Sequence, residues 1–286
     1  MAIESTGPNA EQISHWNGTF GQRWVELQEM LDAQIEPLGR TAQERARISQ
    51  GEHVLDVGCG CGQSSLQIAK RVGTSGHVLG VDLSEPMLAR AIERASGFEQ
   101  ASFEHADAQL FEFRASDFDL VYSRFGVMFF ADPPAAFANL RRALKPGGRL
   151  AFVCWQTASQ NQWILIPMLA IAQHVPLPPP PEPGTPGPMS LADTDHTRDI
   201  LETAGFEDVA FEDRTGELSI GGGASLDATA DFLMRMGPAS RALGDVSEQQ
   251  QQAARAAVRE ALAPFASDAG IKMTGSCWIV TARSPR

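Results

Sequence analysis

Three carboxylates stand where they could meet a bound molecule: Asp56 in VLDVGCGCG, Asp82 in GVDLSEPML and Asp107 in EHADAQ. Asp56 lies inside an apolar run, two positions before a glycine turn formed by Gly58, Gly60 and Gly62. A glycine turn between a strand and a helix is a usual seat for phosphate. The dinucleotide fingerprint is G-x-G-x-x-G, and here Gln63 occupies the place of its third glycine. At about 5 Å and an effective dielectric near 20, a carboxylate and a pyrophosphate charge repel by about 3 kcal/mol, and a cation gains a similar amount. The turn therefore suits a nucleoside that carries positive charge.

Asp82 ends the next apolar run, one βα unit later. A carboxylate there can accept from both ribose hydroxyls, a feature shared with nicotinamide enzymes. Hydrogen bonds to a charged acceptor contribute about 1.5–3 kcal/mol. Asp107 can accept from an adenine amino group; the plainer reading is a loop-capping Asp. S-adenosylmethionine, with an adenosine, a sulfonium and an α-ammonium but no phosphate, fits all three acids. An NAD-dependent oxidoreductase is disfavoured by Asp56 and by the missing glycine.

These acids need strands to carry them. His53–Val57, His77–Asp82, Ala101–His105, Phe118–Ser123 and Arg149–Cys154 read as strands. Between them lie helices over Gly62–Val72, from Ser84 as N-cap to about Ser96, and over Pro133–Leu144, the last closed by Lys145-Pro146-Gly147-Gly148. Alternation of this sort predicts a parallel sheet covered by helices on both faces. Glu11–Ile48 has helical periodicity, with Trp16, Phe20 and Trp24 on one stripe, and Pro37 is expected to break it. After Trp155, helices are expected over Trp163–Val175, Asp193–Ala204, Ala228–Met236 and Ser247–Phe265. Strands are expected over Val209–Ile220 and Gly270–Ala282, and a stiff loop over Pro176–Pro188. The division expected is a helical lid over 1–50, a cofactor-binding core over 51–155, and completion of the sheet with inserted lid helices over 156–286, all in one structural domain.

VLDVGCGCG, GVDLSEPML, EHADAQ, FDLVYSRFGVMFF and LRRALKPGGRL resemble, in order and spacing, the successive motifs of class I S-adenosylmethionine-dependent methyltransferases. The likeness is greatest to the small-molecule branch that includes quinone-biosynthesis enzymes, and it covers roughly Gly51 to Trp155. It implies a Rossmann-like α/β fold with a seven-stranded sheet in the order 3-2-1-4-5-7-6, the last strand antiparallel. Carried over by position, Asp56, Gly58, Cys59 and Gly60 would hold the methionine moiety. Asp82 would bind the ribose, Leu83 and Met87 would flank the adenine, Asp107 and Ala108 would read its edge, and Ser123 and Phe125 would line the sulfonium. Cys61 and Gln63 depart from the residues relatives often carry in the turn.

Methyl transfer from a sulfonium is an in-line displacement in which alignment does most of the work, about 7–11 kcal/mol when the geometry is good. The expected activity is transfer to a carbon, oxygen or nitrogen of a small molecule; a non-catalytic S-adenosylmethionine-binding protein is the alternative. His15 is the candidate base, because a phenol or thiol needs one and a tertiary amine does not. Trp16 and Trp24 could close over the sulfonium, where aromatic faces stabilise cations by about 0.5–2 kcal/mol; the plainer reading is core. Phe20, Arg124, Met128, Trp155 and Trp163 are candidates for the acceptor site, Arg124 as a partner for a ligand carboxylate or for an internal acid. The 23 basic and 35 acidic residues, net charge -12, argue against a nucleic-acid partner. Cys59 and Cys61 lack metal spacing, and the four cysteines read as reduced thiols of a cytoplasmic protein. No signal peptide and no membrane span are expected, and a homodimer is an admissible assembly.

Overall fold

The computed structural model describes residues 7–179, 181–182, 184–244 and 246–286. Five parallel strands form its centre: β1 (His53–Val57), β2 (His77–Asp82), β3 (Ala101–His105), β4 (Phe118–Arg124) and β5 (Leu144–Trp155). Three more follow: β6 (Glu207–Ile220), the two-residue β7 (Ala266–Ser267) and β8 (Gly270–Arg283). The order is β3-β2-β1-β4-β5-β8-β6, with β8 antiparallel to both neighbours and β7 paired only to β8. Setting the short β7 aside, this is the order expected.

The strands are apolar because both faces are covered. Val54 and Leu55 of β1, Leu120 and Val121 of β4, and Leu150 to Val153 of β5 have no exposed surface. Helices α4 (Gln63–Val72), α5 (Glu85–Arg94) and α6 (Pro133–Ala143) connect them, as the periodicity predicts. Later helices are α7 (Gln162–Ile171), α8 (Thr194–Thr203), α9 (Leu226–Arg235), α10 (Gly237–Ala242) and α11 (Glu248–Leu262). Gly205 ends α8 with φ +86, while its N–H reaches Glu202 O and that of Phe206 reaches Leu201 O, satisfying orphan carbonyls. The short α10 has no counterpart in the sequence reading.

Two local expectations are corrected. Pro37 does not break the N-terminal helix. The breaks fall at Gly18 and Leu27, giving α1 (Ala10–Asn17), α2 (Thr19–Glu26) and α3 (Gln28–Arg45), with Pro37 inside α3. An interior proline costs about 3 kcal/mol. Leu31, Ile35 and Leu38 of α3 are buried, each contributing about 1.5–3 kcal/mol, so packing wins over the local penalty. Gly39 lets α3 approach closely: Tyr122 Oη donates to its carbonyl at 2.9 Å, and a Cβ there would lie 2.6 Å from Arg124 Cδ. The second concerns the fifth strand, which starts before Arg149: α6 ends at Ala143, where the Lys145–Gly148 stop signal puts it, but those residues belong to β5. Leu144 already pairs with Phe118, and the ladder resumes at Arg149 after an irregularity.

Candidate active site

The carboxyl ends of β1, β2, β3, β4 and β5 open into a cavity of about 1220 Å³. Its sheet side is formed by Gly58–Cys61, Asp82, Leu83, Ala106–Ala108, Arg124–Gly126 and Trp155. The N-terminal helices supply His15, Trp16, Phe20, Trp24 and Asp32, and the far wall comes from α7, α9, α10 and residues 178–179, 181–182 and 184–193. A single ligand pocket is commonly about 300–1,000 Å³. This one exceeds that range, in keeping with room for two molecules.

Gly58, Gly60 and Gly62 have φ of +66, +55 and +81. A Cβ on Gly58 would lie 2.6 Å from Gly126 Cα, so the turn is glycine for space as well as for conformation. Its backbone donors point inward. Gly58 N and Cys59 N donate to Val81 O at 2.9 and 3.1 Å, Gly62 N donates to Cys59 O at 2.9 Å, and Gly60 N donates to Asp82 Oδ2 at 2.8 Å. These four N–H groups are spent on the protein and do not form an anion cradle.

Asp82 lies against that turn. Its Oδ2 accepts from Gly60 N and its Oδ1 from Ser84 N, both at 2.8 Å. Burial raises its pKa above the usual carboxylate value, against the pull of those hydrogen bonds. A carboxylate has about four acceptor sites, so each oxygen retains one toward the cavity. Asp107, buried, accepts from Asn9 Nδ2 at 2.8 Å and Gln109 N at 2.9 Å. The N-terminal helices are tied to the same loops. Ser84 Oγ donates to Trp16 O instead of capping α5, Asn17 Nδ2 donates to Leu83 O, and Asn17 Oδ1 accepts from Glu85 N.

Two expected site residues are not brought to the cavity. Asp56 has no exposed surface and does not line it. Its Oδ2 accepts from Ser64 and Ser65 in the first turn of α4, at 2.7 and 2.6 Å, and its Oδ1 has no partner among the described residues. Burial pushes its pKa up to about 6. Ser123 is likewise buried: its Oγ donates to Val57 O at 2.7 Å and accepts from Gly126 N and Val127 N, shaping the loop from below. Strand side chains project from the faces of the sheet, so a residue close to the turn in sequence need not reach the strand end.

The remaining candidates all line the cavity: His15, Trp16, Phe20, Trp24, Gly58, Cys59, Gly60, Asp82, Leu83, Met87, Asp107, Ala108, Arg124, Phe125, Met128, Trp155 and Trp163. A further acid lines the cavity beside Asp82: Asp32, which the sequence reading missed. It pairs with Arg124 at 3.1 Å and Arg94 at 3.0 Å. Those arginines hold the turn, Arg94 through Cys61 O at 2.7 Å and Arg124 through Gln63 Oε1. Arg124 thus meets an internal acid. Phe125 adopts φ +62, unfavourable for an aromatic residue, and stacks on Trp155 at 4.2 Å. Trp155 contacts Trp163 at 5.0 Å, and Trp16 meets Phe20, Trp24 and Phe129 edge-on at 5.2–5.5 Å. His15 stacks on Phe20 at 4.5 Å, and burial, with the Arg241 charge second, lowers its pKa from 6.5. The cysteines are buried and free, and burial pushes the Cys61 thiol up to about 12.

Residues 54–148 match the family described as Methyltransferase domain. Phosphoethanolamine N-methyltransferase 1 of Triticum aestivum is 34% identical over 175 residues, covering 61% of this chain and 32% of that protein. The chain thus spans about a third of the length of that relative. Demethylmenaquinone methyltransferase of Staphylococcus aureus (strain MRSA252) is 29% identical over 164 residues, 57% of this chain and 67% of that protein. Among solved structures, Phosphoethanolamine N-methyltransferase 2 of Haemonchus contortus in complex with S-adenosyl-L-methionine superposes with a TM-score of 0.50 at 20% identity, over 98% of this chain and 58% of that chain. No helix among the described residues is long and apolar enough to cross a membrane.

Proposed function

We propose that this chain, a member of the class I S-adenosylmethionine-dependent methyltransferases, transfers a methyl group to a small molecule held in the far half of the cavity. The observation that carries the reading is the glycine turn. The N–H groups of Gly58, Cys59, Gly60 and Gly62 bond within the protein while Asp82 and Asp32 line the space around the turn, so the turn sets carboxylates where a dinucleotide would bring its phosphates. That favours a cationic nucleoside over a dinucleotide.

Asp82 accepts from the ribose hydroxyls with its two remaining acceptor sites. Leu83 and Met87 flank the adenine, and Asp107 and Ala108 read its edge. Gly58, Cys59 and Gly60 border the methionine moiety, and Asp32 takes the part of the cavity-facing acid that Asp56 does not fill. Asp56 instead fixes the start of α4. Bound S-adenosylmethionine supplies an activated methyl group on a sulfonium. The protein aligns and dries the site: Trp16, Phe20, Trp24, Phe125 and Phe129 exclude water and offer aromatic faces to positive charge. His15, held below its ordinary pKa, is neutral at pH 7 and available to take a proton from an acidic acceptor. The lid comprises residues 1–50 with the helices and loop inserted after Trp155. Residues 1–6 and Pro180, Pro183 and Asp245 of that expected division lie outside the described residues.

Calorimetry with S-adenosylhomocysteine and with NAD tests the cofactor. Binding of the first alone is expected, and binding of NAD alone overturns the reading. Formation of S-adenosylhomocysteine in the presence of an acceptor separates an enzyme from a non-catalytic binder.

A further inference from the structure

The far half of the cavity has a composition that restricts what it takes. Trp155, Trp163, Ile164, Leu165 and Met168 meet Phe232 and Met236 across it. Stripping water from a polar head in such surroundings costs several kcal/mol unless every group finds a partner. Two arginines line the whole cavity. Arg124 is held by Asp32 and Gln63. Arg241, exposed on α10, lines the same cavity as His15 and makes no ion pair or hydrogen bond with another described residue. In a chain of net charge -12, an arginine that no carboxylate among the described residues holds, on the same cavity as a histidine and aromatic walls, can meet an anion.

We propose that the acceptor is an amphipathic acid: a ring-bearing apolar body lies between Trp155, Trp163 and Met168, and its anionic group faces Arg241 and His15. This rests on the methyltransferase reading and names the substrate class of that site. A phosphorylated amino alcohol does not suit it. Such a molecule has no apolar body to fill the space, and of the two arginines among the described residues that line the cavity its dianionic phosphate would have Arg241 alone, Arg124 being held by Asp32 and Gln63. Asp193, the carboxylate nearest in sequence on the far wall, is engaged by Asp195 N and His196 N as the cap of α8; Glu182 and His196 are exposed at the rim.

The test uses the full chain saturated with S-adenosylhomocysteine and three calorimetric probes: 2-naphthoate, its neutral counterpart 2-naphthamide, and phosphoethanolamine. The expected order is naphthoate tightest, naphthamide about tenfold weaker and phosphoethanolamine without measurable binding. Arg241→Gln is expected to erase the difference between naphthoate and naphthamide, Arg241→Lys to keep it, and Trp163→Ala to weaken both. Phosphoethanolamine binding tighter than naphthoate overturns the proposal. So does a naphthoate preference unchanged in Arg241→Gln, or naphthoate affinity unchanged in Trp163→Ala. Saturation by S-adenosylhomocysteine without naphthoate binding overturns this proposal alone, whereas failure to bind S-adenosylhomocysteine overturns the reading beneath it.

Discussion

At Asp82 two backbone N–H groups take one acceptor site from each carboxylate oxygen, and burial leaves the charge under-solvated. Such a group gains most from a ligand that brings two more donors. Asp82→Ala is expected to weaken S-adenosylhomocysteine binding by about 1.5–3 kcal/mol, roughly 10- to 150-fold, in calorimetry. Asp56 makes a different kind of prediction. Its folded pKa is raised to about 6 from 3.8, so the folded state holds the proton more tightly than the unfolded state. The resulting stabilisation is complete below 3.8 and is lost as pH rises through about 6, a swing of about 3 kcal/mol. Urea unfolding of the cofactor-free protein across that window, compared with Asp56→Asn, is expected to show the wild type losing stability relative to the variant as pH rises. Parallel pH curves would count against the buried, half-satisfied carboxyl.

Between elements, the N-terminal helices and the loop after β2 meet where a side chain is absent. A Cβ on Gly21 of α2 would lie 1.9 Å from Trp16 O and 2.9 Å from Ser84 Oγ. Gly21→Ala is expected to part α1 from α2 and release the Ser84–Trp16 bond. Acrylamide quenching of tryptophan fluorescence would then rise and cofactor affinity fall; unchanged quenching would show that this contact does not set the lid. The strands, their acids and the glycine turn were legible because apolar runs and glycine spacing are local signals. The lid's contribution was not. Asp32 lies 92 positions from Arg124 in sequence, and nothing in a helical stretch containing a single Asp marks it as the partner of two arginines. Asp56 was misplaced for a related reason: adjacency to a turn does not say which way a strand residue points. Pro37 misled because the local cost of proline was weighed without the packing of α3 on the sheet.

The molecule as a whole lays one cavity over the ends of β1–β3 and on across β4, β5 and the late helices, which bring most of its aromatic and apolar lining. Asn9 joins the loops beyond β3 and β4: its Nδ2 donates to Asp107 and Gln109, while its Oδ1 accepts from Ala131 N beyond β4. The arginine–Asp32 network joins the lid to the turn in the same way. The order of the sheet is the one the family resemblance implies, whereas this stitching comes from residues that become neighbours only on folding. A crystal structure with bound S-adenosylhomocysteine is the most direct test. The account predicts ribose hydroxyls on Asp82, adenine between Leu83 and Met87, and the amino-acid head beside Asp32. A ligand whose anionic group sits on the Gly58–Gly62 turn, with Asp82 free of the ribose, would contradict it.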